Sequence, residues 1–230
     1  MRPIACLAVA LAASLALPQL AAAQEQSFDL GLGASYGPVY PGADESETSP
    51  WVVFRRTPGV GSAGFRITPS LNTVGEREPS DDPALAGTDE IDRAYEVGAK
   101  VSYGLGAVTT YGALRKGFGG HEGLVGEIGA KYRTEVNDRL TLWSGLQAGY
   151  ADSDYMDTYF GVPGGYSPGG GLKSVSAKVE ARYAIGENTA LLGEVEYGRL
   201  MGDAADSPLT QDRDQTAIRL GIVRSFSFGF

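Results

Sequence analysis

The stretch Thr216–Phe230, TAIRLGIVRSFSFGF, alternates apolar residues with small or polar ones. Side chains of a β-strand point alternately to opposite faces, so this stretch predicts a strand with one apolar face. Chain ends usually fray into water, and so apolar an end indicates that this face lies against something other than water. The apolar parity holds Ile218, Leu220, Ile222, Phe226, Phe228 and Phe230.

Phe226, Phe228 and Phe230 make this end resemble the closing strand of bacterial outer-membrane β-barrels. In those proteins the terminal aromatic residues are the signal that the barrel assembly machinery reads. The resemblance therefore predicts a barrel-assembly signal at these three residues. The alternative is an amphipathic edge strand of a soluble β-sandwich.

Residues 1–23 have the three parts of a secretory signal peptide. Met1–Arg2 is positively charged, Ile4–Leu17 is apolar, and Ala21-Ala22-Ala23 is a small-residue cleavage site. The prediction is a cleaved signal over 1–23 and one mature barrel domain over 24–230. The only cysteine, Cys6, leaves with the signal, which excludes disulfides and cysteine metal sites from the mature chain.

The chain is acidic, with a formal net charge of −9. Nucleic-acid binding depends on clustered Lys and Arg, so no nucleic-acid partner is expected. No long apolar run follows Ala23, which argues against a membrane-spanning helix. A membrane β-barrel spreads its hydrophobicity over alternating positions, so a mean hydropathy near zero is compatible with one.

Alternation of period two recurs along the chain between turn residues, and helix signals are scarce. The sequence predicts an all-β fold, a single antiparallel transmembrane β-barrel of about ten strands, with eight or twelve as alternatives. An even number of strands puts both termini in the periplasm. The predicted strands are Ser27–Tyr36, Thr48–Arg56, Ala63–Asn72, Ala94–Gly104, Ala107–Gly117, Gly123–Thr134, Arg139–Tyr150, Lys173–Ala184, Thr189–Leu200 and Gln215–Phe230.

The predicted connections alternate in length, as short periplasmic turns and long extracellular loops do in outer-membrane barrels. The short ones are Gly104–Gly106, Glu135–Asp138 and Gly186–Asn188, and Thr57–Ser62 is slightly longer. The long ones are Gly37–Glu47, Thr73–Arg93, Ala151–Leu172 and Met201–Asp214.

Tyrosines lie at both ends of the predicted strands. Amphipathic rings at two levels match the aromatic girdles at the two membrane interfaces. Tyr103, Tyr132 and Tyr183 precede short turns, while Tyr36, Tyr95, Tyr150 and Tyr197 lie toward the long loops.

The opposite strand parity carries charges of both signs, which would face the lumen of a barrel. A filled interior of ion pairs is favoured, because small barrels are largely filled by side chains, and a narrow polar pore is the alternative. These residues are Glu96, Lys100, Glu127, Lys131, Arg133, Lys178, Glu180, Arg182, Glu194, Glu196 and Arg219.

Several stretches carry a more specific resemblance. They are KGFGGHEGLV at Lys116–Val125, YADSDYMDTYFGV at Tyr150–Val162, RLMGDAADSP at Arg199–Pro208 and LGASYGPVYPGAD at Leu32–Asp44. With the aromatic end, they resemble the MltA-interacting protein / OmpV family of Gram-negative outer-membrane proteins. The resemblance implies a barrel in the outer membrane, exported through the periplasm, with no catalytic residue and no cofactor.

The founding member of that family is described as a scaffold that joins a lytic transglycosylase to a penicillin-binding murein synthase. The resemblance therefore implies a non-enzymatic scaffold linked to murein hydrolase and synthase complexes. Other members are described as porin-like, so a small solute pore is the alternative. Outer-membrane lipid, lipopolysaccharide and the barrel assembly machinery are further expected partners.

His121 is the only histidine of the chain. The predicted topology gathers acidic loop residues near it at one rim, and loop-to-loop hydrogen bonding is the favoured interpretation, since Asp and Ser satisfy turn backbones. A calcium or magnesium site and a surface hydrolase that uses His121 are the alternatives. The rim residues are His121, Glu122, Asp152, Asp154, Asp157, Asp203, Asp206 and Ser207.

Arg224 shares the apolar parity of the final strand. A charge at the bilayer midplane would cost about 2–4 kcal/mol, and less near the interface. The sequence therefore predicts either a register break before Ser225 or a position of Arg224 at interface depth.

Overall fold

The structure is a computed structural model that describes residues 26–56 and 63–228. Within them lie ten β-strands, two short α-helices and one 3-10 helix, Pro83–Leu85. The predicted signal peptide and Phe230 lie outside the described residues. The strands are β1 (Gln26–Pro38), β2 (Ser46–Arg56), β3 (Gly64–Val74), β4 (Ala94–Leu105), β5 (Val108–Gly119), β6 (Leu124–Glu135), β7 (Leu140–Ala151), β8 (Gly171–Ala184), β9 (Thr189–Leu200) and β10 (Asp214–Phe228), and the helices are α1 (Ser153–Phe160) and α2 (Gly202–Asp206).

The strands form one antiparallel sheet in the order β2-β1-β10-β9-β8-β7-β6-β5-β4-β3. The predicted number of ten strands is confirmed, and each predicted strand overlaps an observed one. The last strand pairs with the first, with Phe28 opposite Phe226 and Tyr36 opposite Ile218. The predicted pairing of the two ends of the chain is therefore confirmed.

Strands β2 and β3 are the two ends of the sheet, and no ladder joins them within the described residues. Each has a proline in its interior, Pro50 in β2 and Pro69 in β3. Proline cannot donate a ladder hydrogen bond and is therefore confined to edge strands, strand starts or bulges. The prolines thus lie in the strands that tolerate them best.

The two faces of the sheet differ in the way that the sequence predicts. In β4, Tyr95, Val97 and Tyr103 are exposed, while Glu96 between them is 2% exposed. An apolar outer face and a polar inner face on antiparallel strands of 11–15 residues are the arrangement of a transmembrane β-barrel. Neither helix of the described region is long and apolar enough to cross a membrane.

The inner face is lined by ion pairs. Arg115 of β5 binds Glu96 at 2.9 Å and Glu127 of β6 at 3.2 Å. Lys178 of β8 binds Glu196 of β9 at 3.1 Å. Buried charges are tolerated where they are paired and hydrogen-bonded. The predicted network of ion pairs is therefore present, and Lys100, Glu194 and Arg219 belong to it as well.

The structure excludes one of the two predicted alternatives for Arg224. The pairing of β10 with β1 and with β9 runs through this residue without a shift, so the predicted register break does not occur. Arg224 lies opposite Thr189, the first residue of β9, and therefore at the short-turn end of the sheet. Its depth in a bilayer stays a prediction, and at interface depth its long side chain would reach the headgroups.

Asp29 links three strands at the short-turn end. It is 0% exposed and accepts hydrogen bonds from Arg182 of β8 and from the Ser225 hydroxyl of β10, both at 2.7 Å. Removing one partner of a buried ion pair leaves the other charge uncompensated, at a cost of about 3–5 kcal/mol.

We therefore expect Asp29→Ala to lower the free energy of unfolding by about 3–5 kcal/mol. Urea unfolding of the folded barrel in detergent micelles measures this quantity. Asp138→Ala, in the exposed turn between β6 and β7, is the control and should change it by less than about 0.5 kcal/mol. Equal effects of both substitutions would contradict the role given to Asp29.

Candidate functional site

The long loops pack over one end of the barrel and form what we call the cap, residues 39–45, 75–93, 152–170 and 201–213. Its centre is the apolar face of α1, where Met156, Tyr159 and Phe160 are 1–2% exposed. These side chains pack against Ile91 and Leu200, among others. The cap is therefore a packed unit with its own small core.

Both ends of α1 are held by side chains. At the first turn, Asp152 accepts hydrogen bonds from the N–H groups of Tyr155 (3.0 Å) and Leu124 (2.8 Å). At the last turn, the Arg77 guanidinium donates to the carbonyl of Tyr159 at 2.7 Å. A carboxylate at the start of a helix and a cation at its end both complement the helix dipole. The helix is thus attached to β6 and to the loop 75–93.

His121 lies directly under α1, in the turn between β5 and β6. Its side chain is 0% exposed. The ring contacts Tyr155 and Tyr159 edge-on, with centroid separations of 4.9 and 5.5 Å. Its Nδ1 accepts a hydrogen bond from the Gly123 N–H at 3.1 Å, and its Nε2 lies 3.5 Å from Glu96 Oε1.

The glycines of the KGFGGHEG stretch explain why the turn can hold this ring. Gly119 has a φ of +90°, which side-chain-bearing residues rarely adopt. A Cβ on Gly117 would overlap the His121 imidazole. The glycines therefore allow the turn to bend sharply and the imidazole to lie flat against β5.

Burial favours the neutral forms of His121 and Tyr159. Burial lowers the pKa of His121 below its ordinary value, against the opposing effect of Glu96. Burial likewise raises the pKa of Tyr159. Because Nδ1 accepts a hydrogen bond, the proton of the neutral imidazole is assigned to Nε2.

The other predicted rim residues all lie in or beside the cap, but each serves a different contact. Asp203 accepts from the Gly169 N–H at 2.6 Å, and Asp206 pairs with Arg213 at 3.0 Å. The Asp157 carboxylate accepts from the Ser167 hydroxyl at 3.4 Å.

The remaining rim residues also make contacts within the loops. Asp154 and Glu122 are exposed, and their backbone carbonyls accept from Thr158 and Lys116 respectively. The buried Ser207 hydroxyl donates to the Phe160 carbonyl at 2.6 Å. Among residues 26–56 and 63–228, no three His, Cys, Asp or Glu side chains are grouped so as to hold a metal ion. The geometry is that of loop-to-loop hydrogen bonding.

The seven predicted girdle tyrosines are all exposed on the outer face, between 41% and 56%. Their depth in a bilayer stays a prediction. Of the predicted assembly signal, Phe226 is 42% exposed on the same face. The backbone of Phe228 ends β10.

The sequence matches the family described as MltA-interacting protein MipA over residues 30–226. The chain belongs to this family. Outer-membrane protein YiaT of Escherichia coli K12 is 31% identical over 102 residues, which are 41% of each chain. The match thus spans less than half of that relative. The protein is a β-barrel of the bacterial outer membrane, as predicted.

Solved outer-membrane barrels also resemble the chain, at low identity. OmpT of Vibrio cholerae has 9% identity and a TM-score of 0.38, over 87% of this chain and 97% of that one. OprD of Pseudomonas aeruginosa has 15% identity and a TM-score of 0.36, over 86% and 58%. A designed transmembrane β-barrel has 14% identity and a TM-score of 0.31, over 72% and 98%. TM-scores this low carry no argument about function.

Sequence reasoning missed α1 and the residues that hold it. The signal was present, because Asp152 precedes Tyr155, Met156, Tyr159 and Phe160, which have helical spacing behind a capping residue. Arg77 gave no comparable signal, since it lies more than 70 residues away in sequence from the carbonyl that it binds.

Gly117→Ala should push the His121 ring away from β5 and loosen α1, at a cost of about 1–3 kcal/mol for overpacking. Hydrogen exchange of the α1 amides in the folded barrel measures the loss. Gly75→Ala is the matched control, because a Cβ there has no atom within 4 Å. Unchanged α1 protection in the Gly117 variant would contradict the packing described here.

Proposed function

We propose that this chain is a non-enzymatic scaffold that holds a lytic transglycosylase and a penicillin-binding murein synthase together at the outer membrane. The observation that carries the proposal is the inner face, which is lined by ion pairs between neighbouring strands, so that the outer surface and the turns are left for contact with partners. The family description, which names an interaction with MltA, supports the choice of partner.

Side chains in contact line the inner face from one end of the barrel to the other. Val53, Leu192 and Val223 pack with Trp51 inside the short-turn end. The ion pairs around Arg115 and around Lys178 follow. The cap covers the long-loop end. These contacts along the inner face and the cap over one end disfavour a wide, open solute pore.

The environment of His121 disfavours a hydrolase. A catalytic histidine must reach a nucleophile and substrate. His121 is buried, its Nδ1 is bound to a backbone N–H, and its Nε2 has no hydrogen-bond partner within the described residues. These contacts support a structural role for the imidazole.

We place the short turns in the periplasm, where murein lies. Each described short turn carries an exposed aliphatic residue, Leu105, Val136 and Ile185, at 69%, 52% and 49% exposure. They follow the tyrosines of the short-turn end on the same parity, and so project past them. They are suited to contact a protein that lies against the inner leaflet. Lipopolysaccharide, outer-membrane lipid and the assembly machinery remain expected partners of the barrel itself.

The scaffold proposal predicts that the full-length barrel in detergent micelles binds a purified lytic transglycosylase of this class. Val136→Ser with Ile185→Ser should raise the Kd about tenfold or more, because each buried aliphatic side chain is worth about 1.5–3 kcal/mol. Asp89→Ser with Glu90→Ser, on the cap, is the matched control and should leave the Kd unchanged. Absence of binding by the unaltered barrel would refute the partner.

A second measurement separates the scaffold from a pore. We expect the barrel in planar bilayers to give no steady single-channel steps, because ion-paired side chains line its interior and the cap lies over one end. An open porin in the same lipid is the positive control. Reproducible conductance steps from the unaltered chain would favour the pore instead.

A further inference from the structure

The His121 imidazole connects the cap to the barrel through two unequal ring nitrogens. Nδ1 is an acceptor from the Gly123 N–H at 3.1 Å. Nε2 is buried, carries the proton of the neutral ring and has no hydrogen-bond partner within the described residues. At Nδ1 this arrangement suits the neutral ring, because a proton there would face the Gly123 N–H, while Nε2 lies 3.5 Å from Glu96 Oε1.

We propose that His121 is a proton-sensitive latch, which holds the cap on the barrel while neutral and releases α1 when protonated. The inference concerns the regulation of the cap and does not depend on the scaffold role.

Protonation would place an N–H on Nδ1, directly facing the N–H of Gly123. Two donors cannot share a hydrogen bond, so the charged ring loses that contact and must turn. The ring has little room to turn in place. Gly117 lies against one face of the ring, and Tyr155 and Tyr159 of α1 contact it edge-on. Movement of α1 is therefore the way to accommodate the charge.

The charged and titratable groups near the ring act in both directions, and none of them removes the clash of two donors at Nδ1. Glu96 Oε1, 3.5 Å from Nε2, favours the imidazolium, while Glu96 Oε2 accepts from Arg115 and Asn72. Lys173 disfavours the imidazolium, and Asp152 favours it. The groups that face His121 are Glu96 of β4, paired with Arg115 of β5, then Asp152, Tyr155 and Tyr159 of the α1 segment, Lys173 of β8, and Arg77 beyond Tyr159.

The direction of the pH effect follows from the two states. A histidine in an opened cap has the ordinary pKa of about 6.5, and burial lowers the pKa of His121 in the closed cap. Between these two values the closed cap binds fewer protons than the opened one. Closing is thus favoured at higher pH and is lost as the pH falls through this window, by up to about tenfold per pH unit.

The part that is released is small. α1 has eight residues and is held by Asp152, Arg77 and its apolar face. The ladders of β5 to β8 contain neither His121 nor α1. Acid should therefore open the cap and leave the barrel paired.

The test uses the full-length barrel in micelles without a histidine tag, so that His121 gives the single imidazole signal. NMR follows its titration between about pH 8 and pH 4.5. Hydrogen exchange of the α1 amides, corrected for the intrinsic pH dependence, is measured on the same samples. We expect α1 protection to fall with the titration of His121, while the amides of β5 to β8 stay protected.

His121→Gln removes the titration and offers an amide oxygen to the Gly123 N–H. The proposal expects α1 protection in this variant that does not change with pH. Protection of α1 that is independent of pH in the unaltered chain would overturn it, as would the same pH dependence in His121→Gln. If α1 is unprotected at every pH in this variant, the test rests on the unaltered chain. The midpoint of its His121 titration and the midpoint of its loss of α1 protection must then agree within about one pH unit, and a larger difference would overturn the proposal.

Discussion

In the hydrocarbon core, a backbone N–H or C=O without a hydrogen-bond partner costs several kcal/mol, and this requirement shapes the whole molecule. It explains the continuous antiparallel ladders from β3 through β10 to β1 and β2, and the pairing of the last strand with the first. The lipid also fixes which alternate residues of each strand are apolar, since each strand turns one face to lipid. Within the described residues the sheet ends at β2 and β3, and Pro50 and Pro69, which cannot donate a ladder hydrogen bond, lie in these two strands.

The inner face obeys a different rule, because charges can be buried there if they are paired. Arg115 binds two glutamates of neighbouring strands, and Asp29 binds Arg182 and Ser225 across three strands. Each such group needs partners from more than one strand, so the contacts fix how neighbouring strands are arranged. The same side chains that satisfy each other's charge also project into the lumen and line it.

Period-two alternation let the strands, their parity and the short turns be predicted from sequence, since these depend on neighbouring residues. The same logic limited Arg224 to a register break or a position at interface depth, and its pairing without a shift excludes the first. The acidic rim could not be predicted in detail, because each carboxylate has several candidate donors within its loop. Asp203 and Asp206 bind different loop groups, and no shared site results within the described residues. Arg77 and Glu96 were not foreseen as cap contacts, since their partners lie far away in sequence.

Above the membrane, water can satisfy the backbone, and the cap is held by side chains instead. A helix of eight residues is too short to be stable alone. α1 is therefore held by residues outside the helix: Asp152 and Leu124 at its start, Arg77 at its end, and His121 beneath it. Because none of these contacts belongs to a strand ladder, the cap can lose its packing without unpairing the barrel. The barrel and the cap therefore differ in stability, because the barrel is held by backbone ladders in lipid and the cap by side-chain contacts in water.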